Sequence, residues 1–392
     1  MPLPADPLGL SRSDWAAAAQ ELGLPVYRGR QIFDALHLRR KLSWSAMSEL
    51  PSSLRERLES ESKIVLPEIV RRDESADGSR KYGLRLSDGS LVEAVFMPGE
   101  PSRAEVNEFG DARAAGRDAP LGRGAARSPL RRRETEGVEK YTICLSSQTG
   151  CAVDCAFCVT GRLGGGRNLT AGEIVGELYA VQKDVGRDAQ GLRVVFMGMG
   201  EPFLNPDGVL GALEVLFEVV SPRRVTVSTS GITPVFARFA ALPRRPNLAV
   251  SINAADEETR SKLMPINRTY PLSGLLEAMR RWPLESHRRL TAEYVLIAGV
   301  NDSSQAARRL ARRLAGMAVK VNVIPLNEDP VYLPGWKRPA EPAIDAFART
   351  LADSGVVVTV RRSRGPDASA ACGQLKGRAQ DVRGRRRLTP AG

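Results

Sequence analysis

Histidine is almost missing from this chain: its 392 residues include two, His37 and His287. Cysteine is scarce as well, with five. A structural zinc site wants four nitrogen or sulfur ligands. No second C-x2-C pair exists and neither histidine is near a cysteine cluster in sequence, so zinc is a weak reading. No run of about 18 apolar residues occurs, and no membrane span is expected. The opening Met1-Pro-Leu-Pro-Ala-Asp6 lacks the basic and apolar regions of a secretion signal. A disulfide framework belongs to short secreted domains, not to a chain of this length. Together these absences lead to the expectation of a cytoplasmic protein with reduced thiols and no membrane contact.

Three of the five cysteines stand together in Cys151-Ala-Val-Asp-Cys155-Ala-Phe-Cys158, flanked by Gly150 and Gly161. A lone cysteine is usually a small buried hydrophobe, but three within eight residues are not scattered. Iron–sulfur clusters are held by cysteine thiolates, usually four of them. Three thiolates on one short loop can hold three irons of a 4Fe-4S cluster. The fourth iron is then open to an exchangeable cofactor.

The charge balance points to a polyanionic partner. Lysine and arginine number 57 against 45 acids, a formal net charge of +12, with a pI near 9.8. A basic surface of this size suits nucleic acid. Hydrophobic content of 42% supports a proper core, and the length suits one large domain with a smaller one.

Along the chain, residues 12–62 read as helical. Trp15, Leu22, Ile32, Phe33, Leu36, Met47, Leu50, Leu54 and Leu58 recur at helical spacing. Arg28, Arg30, Arg39, Arg40 and Lys41 cluster there, either to hold RNA or as a solvated basic face. Residues 64–98 read as strands, with Asp77-Gly78 and Asp88-Gly89 as hairpin signals. Residues 99–139 are rich in Gly, Ala, Arg and acids and poor in large apolar side chains. Such a segment cannot bury enough surface to offset its ordering entropy, so it reads as a disordered insertion. From residue 141, strands are expected at 141–147, 193–198, 224–229, 247–253, 291–298 and 320–326, with a further one at 356–361. Helices are expected at 171–185, 207–220, 233–242, 272–282, 304–315 and 340–354. Regular βα alternation implies a parallel sheet covered by helices. In such folds sites gather at the C-terminal strand ends. The domain reading is therefore 1–63 helical, 64–98 β extension, 99–139 insertion, 140–377 α/β barrel and 378–392 basic tail.

A set of motifs follows in order: Cys144, the cysteine triplet, Gly198-Met-Gly200-Glu201-Pro202, Ser228-Thr-Ser-Gly231, Met264-Pro-Ile-Asn267 and Ala371-Cys372-Gly-Gln-Leu375. On these the chain resembles the radical S-adenosylmethionine (SAM) methyltransferases of the RlmN family. These modify carbon 2 of an adenine in 23S ribosomal RNA and in some transfer RNAs. The resemblance covers residues 15–98 and 140–377.

The resemblance implies a partial (β/α)6 barrel with a small helical N-terminal accessory domain and a short β-hairpin extension. It implies a 4Fe-4S cluster on Cys151, Cys155 and Cys158, with SAM on the open iron. Gly200 and Glu201 fall at the segment that meets the SAM amino group. Ser228, Ser251, Ile252, Asn253 and Asn327 fall at further SAM contacts. Strand-end Ser and Asn also cap helices, so each alone is a weak signal. Many members carry His where this chain has Asn253, which keeps hydrogen bonding without a titratable ring.

By the same resemblance, Cys372 takes a methyl group from one SAM. A 5′-deoxyadenosyl radical from a second SAM abstracts hydrogen from that methyl. The carbon radical adds to adenine, and Cys144 attacks the sulfur of Cys372 to release product as a disulfide forms. That last step needs the two Cα atoms within about 7 Å. Glu93 matches the proposed proton acceptor, though it also reads as an exposed strand carboxylate. The partners implied are 23S rRNA, an electron donor such as flavodoxin or ferredoxin, and no second subunit. Transfer RNA stays open as a second substrate. The N-terminal helices and Arg383–Arg387 could hold phosphates.

Two rival readings remain. The sister activity, methylation of adenine carbon 8, shares the five cysteines. A non-catalytic iron–sulfur RNA-binding or redox-sensing protein would not need the pair Cys144 and Cys372.

Overall fold

Local signals start the first helices. Ser11 and Asp14 close a reciprocal capping box at the start of α1 (Arg12–Glu21). Helices α2 (Val26–Phe33) and α3 (Ser52–Glu61) follow. The computed structural model describes residues 6–99, 138–361 and 374–375. The expected insertion thus lies almost wholly outside the described residues, as do the basic tail and Cys372.

The N-terminal helices close over Trp15, Ile32, Phe33, Leu36, Trp44, Met47 and Leu58, each at most 1% exposed. Trp15 and Trp44 meet edge to face, with ring centroids 6.0 Å apart. α2 packs on α1 through Gly29. A Cβ there would lie 2.1 Å from the Trp15 carbonyl oxygen, and backbone cannot yield as a side chain can. Gly29→Ala is expected to cost about 1–3 kcal/mol, the range for overpacking. Chemical unfolding followed by circular dichroism measures it.

Strands β1 (Glu68–Glu74), β2 (Arg80–Arg85) and β3 (Leu91–Pro98) form an antiparallel meander. The expected hairpin extension is therefore three strands. It is not a separate appendage, because β3 pairs antiparallel with β4 (Tyr141–Cys144) and continues into the main sheet. Val92, Ala94, Val95 and Phe96 are all buried, so neither face of β3 is left to solvent.

After β4 come α4 (Val159–Arg162), α5 (Ala171–Val185), β5 (Leu192–Phe196), α6 (Pro206–Val219), β6 (Val225–Thr229), α7 (Phe236–Ala240) and β7 (Asn247–Ser251). Then follow α8 (Glu257–Leu263), α9 (Leu272–Arg280), β8 (Leu290–Leu296), α10 (Ser304–Leu314), β9 (Val319–Pro325), α11 (Glu341–Asp353) and β10 (Val357–Val360). The sheet runs β1 to β10 in chain order. Every pairing from β4 to β10 is parallel. This is the expected α/β barrel, with strands where the alternation placed them. No helix among the described residues is long and apolar enough to cross a membrane.

Alternation along the strands sorts two faces. Leu192, Val194, Phe196, Val225, Val227, Tyr294 and Val321 are buried under the helices. The opposite face carries half-buried polar groups, among them Ser228, Ser251 and Asn322. A sheet curled into a barrel turns that face into its lumen.

The N-terminal helices dock on α5. His37 Nδ1 lies 2.7 Å from the Tyr179 hydroxyl, and the Arg40 guanidinium stacks 3.6 Å from the same ring centroid. Of the basic cluster noted above, Arg40 thus faces inward. Arg39 and Lys41 both pair with Glu49, each at 2.5 Å. Arg30 remains exposed.

Candidate active site

The cysteine loop leaves the C-terminal end of β4 and turns back at once. Asp154 adopts a left-handed conformation, φ 51°, which a short polar side chain tolerates. Cys158 N–H donates to the Cys155 carbonyl at 3.0 Å, and Cys151 N–H to the Gly164 carbonyl at 2.9 Å. The three thiols crowd one another electrically. Burial pushes Cys151 up to about 12, with Glu201, Cys158 and Asp154 adding to the rise. Burial pushes Cys155 well above the ordinary thiol range, with Cys158 and Cys151 adding. Cys151 and Cys155 so placed give up their protons to a cation, as metal binding requires. No three His, Cys, Asp or Glu among the described residues gather as a single ion would need. A cubane cluster instead takes each thiolate on a different iron, so this donor set fits a cluster better than one zinc.

The turn after β5 needs glycine. Gly200 has φ 93°, and a Cβ there would lie 2.6 Å from Gln148. Gln148 Oε1 accepts the Glu201 N–H at 2.9 Å, tying this turn to the residues after β4. The Glu201 carboxylate is largely engaged inside the protein. It accepts from Phe203 N–H at 2.9 Å, Thr229 Oγ1 at 2.7 Å and Ser230 N–H at 2.7 Å. A carboxylate has about four acceptor sites, so one direction remains for a cationic ligand.

Ser228 and Ser251 lie on the lumen face at the ends of β6 and β7, half-buried. Neither hydroxyl bonds to another described residue, which leaves both available to a ligand. Ile252 and Asn253 are each 1% exposed. Asn253 has φ 56°, a region that Asn and His enter more readily than most residues. Its side chain serves the fold: Oδ1 accepts Val295 N–H at 2.8 Å, and Nδ2 reaches Met264 Sδ at 3.2 Å. Its backbone is engaged as well: the N–H donates to the Glu293 carbonyl at 3.3 Å and the carbonyl accepts Asn301 Nδ2 at 2.8 Å. Asn327 follows β9 and is half-buried.

Cys144 ends β4, buried, directly opposite Val95 of β3 and Val195 of β5. Glu93 lies two residues from Val95, on the same face. It is buried rather than an exposed strand carboxylate, 6% exposed, with Lys81 Nζ 3.7 Å from its Oε1. Its carbonyl accepts the Ser146 hydroxyl at 2.9 Å. Two residues after Cys372 in sequence, Gln374 Nε2 donates to the Glu328 carbonyl at 3.1 Å. The Thr160 hydroxyl, just after Cys158, donates to the Leu375 carbonyl at 2.7 Å. Gln374 and Leu375 are thus fastened to the turn beyond β9 and to α4, which directly follows the cysteine loop.

Several polar residues of the site escaped sequence reasoning. Glu293, Asn322 and Thr359 stand in register with Ser251 across β7 to β10. Asn322 Nδ2 donates to Glu293 at 2.7 Å, and the Thr359 hydroxyl to Asn322 at 3.1 Å. Burial raises the Glu293 carboxyl, against Arg361, Asn322 and Lys320, which favour its charge. Lys81 and Arg260 also escaped. A lysine or acid at alternate strand positions is a cue for solvent or lumen alike, and only closure of the sheet tells them apart.

A cysteine triplet at the end of the first parallel strand, with a glycine–glutamate turn after the second, defines a radical SAM protein. The model of the radical SAM superfamily matches residues 145–311. A crystal structure of a radical SAM methyltransferase from Sphaerobacter thermophilus is similar, with TM-score 0.79 and 37% identity, covering 95% of this chain and 99% of that one. The probable dual-specificity RNA methyltransferase RlmN of Koribacter versatilis is 43% identical over 91% of this chain and 97% of its own length. The dual-specificity RNA methyltransferase RlmN of Halorhodospira halophila is 38% identical over 99% of this chain and 98% of its own. The chain belongs to the RlmN family of dual-specificity RNA methyltransferases. It is a radical SAM enzyme acting on RNA, and its cofactors are a 4Fe-4S cluster and SAM.

Proposed function

We propose that this protein methylates carbon 2 of an adenine in 23S rRNA, and in transfer RNA, through a methyl group carried on Cys372. The observation that carries this reading is the fastening of Gln374 and Leu375 to Glu328 and Thr160. Gln374 and Leu375 follow Cys372 closely in sequence, and Thr160 follows Cys158 closely, which supports a carrier role for Cys372 beside the cysteine loop. Cluster and SAM supply the hydrogen-abstracting chemistry that an electron-poor ring carbon demands. The protein's share is orientation, proton handling and release. Ser228 and Ser251, whose hydroxyls bond to no other described residue, offer them to SAM, and Gly200 lets backbone approach it. Glu93 takes the proton lost from adenine, held among buried groups with Lys81 beside it. Cys144, on the same face, is the thiol that frees the product.

The target adenine is unstacked before reaction, because a base-paired helix hides its edge. Arg30 on the N-terminal helices is an exposed cation for phosphate. The electron comes from a small external carrier of flavodoxin or ferredoxin type, and the enzyme works as a cytoplasmic monomer.

Protein isolated from active cells should carry one extra methylene mass on the Cys372 peptide, since a nucleophilic thiolate takes the methyl group. Peptide mass spectrometry reads this directly. Persistently unmodified Cys372 in protein that methylates RNA would refute the carrier role.

A further inference from the structure

Arg260 is the buried cation that none of the steps above employs. It lies on α8 and is 0% exposed. Its guanidinium is spread over neutral acceptors: Nε to the Ile252 carbonyl at 3.1 Å, Nη1 to Asn267 Oδ1 at 2.8 Å, and Nη2 to the Ser230 and Ser251 carbonyls at 2.7 and 3.1 Å. No carboxylate among the described residues is in ion-pair contact with it. Glu257 reaches it only through Asn267, whose Nδ2 donates to Glu257 at 2.9 Å. Burial pulls the guanidinium down to about 10, which still leaves it charged at neutral pH.

The C-terminal end of helix α8, within one turn of Arg260, meets the cysteine loop. Leu263, the last residue of α8, takes the Ala156 N–H on its carbonyl at 2.9 Å. Leu263 and Met264 share an apolar cluster with Cys155 and Phe157. Burial lowers the Arg260 guanidinium, while the neighbouring Cys155 and Glu257 favour its charged form. A clamp on the ends of β6 and β7 would explain the hydrogen bonds. It does not explain why a full charge sits there without a contacting acid, since burying an unpaired charge is costly.

We propose that Arg260 is the fixed counter-charge of the cysteine loop, and that it raises the reduction potential of the cluster these thiolates bind. Reduction adds one electron from an external low-potential one-electron carrier. No bond in the protein forms or breaks, and the cluster becomes more negative by one charge. A cation held in place by carbonyls stabilises that state over the oxidised one. Arg260 touches no reacting atom in this account and is a positioning charge. The proposal rests on the cluster assignment above.

The test uses full-length protein reconstituted anaerobically, with iron content measured first, so failure to hold a cluster is seen separately from a change in potential. Arg260→Met, Arg260→Lys and Glu257→Gln are titrated against potential, reading the paramagnetic signal of the reduced cluster. In Arg260→Met the ratio of reduced to oxidised cluster at fixed potential should fall about tenfold, equivalent to about 59 mV for one electron. Arg260→Lys should stay within about twofold of the parent. Glu257→Gln removes a nearby negative charge and should shift the ratio upward. Iron-replete Arg260→Met at the parent potential would overturn the proposal, as would equal shifts in the Met and Lys variants. If Arg260→Met does not fold, Arg260→Gln takes its place: a fall in the ratio of similar size supports the counter-charge, and the parent potential overturns it.

Discussion

Alanine at Cys151, Cys155 or Cys158 is expected to remove the visible absorbance of the cluster and all methylation together. Neither histidine can substitute: His37 lies at the N-terminal helix interface and His287 in an exposed turn. Losing one thiolate leaves two on a loop built for three, and thiolate ligation is the main grip on such clusters. The fold should survive, because each of the three is only half-buried. Circular dichroism near that of the parent, with iron and turnover at background, is the predicted pattern. Stoichiometric zinc in the parent protein, or turnover in any of the three variants, would contradict it.

The second large effect concerns Cys144. Cys144→Ala should retain iron, SAM binding and the methyl on Cys372, yet accumulate stable protein–RNA conjugates. Without this thiol the thioether between Cys372 and adenine has no nucleophile to break it. As a mere core residue, Cys144 would cost about 1–2 kcal/mol on truncation and leave turnover nearly normal. A denaturing gel of the variant from cells, with and without ribonuclease, separates the two. A retarded, nuclease-sensitive band is expected. Normal mobility with parent-level methylation would show that release does not need Cys144.

Much of this architecture was legible because its signals are local. Helix α5 falls on its expected bounds, since Thr170 and Glu173 form a capping box and Gly186 ends the helix in a left-handed turn. The parallel strands were legible from apolar runs between turn residues. Helices α4 and α8 were not, being four and seven residues long, too short for a periodic pattern. The cysteine triplet was legible because one loop holds it. Lys81 and Glu293 were not, because their strand positions alternate as solvent-facing residues would. Arg260 was missed for the same kind of reason: on a short helix beside Glu257, Glu258 and Lys262, it resembles one more surface charge. Glu201 shows the converse, a motif acid whose carboxylate the fold itself largely consumes.

The most direct test of the central claim is nucleoside mass spectrometry of 23S rRNA and transfer RNA from a strain lacking this gene, with and without its return. The account predicts 2-methyladenosine in the parent, its loss on deletion and its recovery on complementation, with no recovery by a Cys372→Ala copy. Appearance of 8-methyladenosine in its place would move the protein to the sister activity. Unchanged 2-methyladenosine after deletion would contradict the assignment of this reaction to this chain.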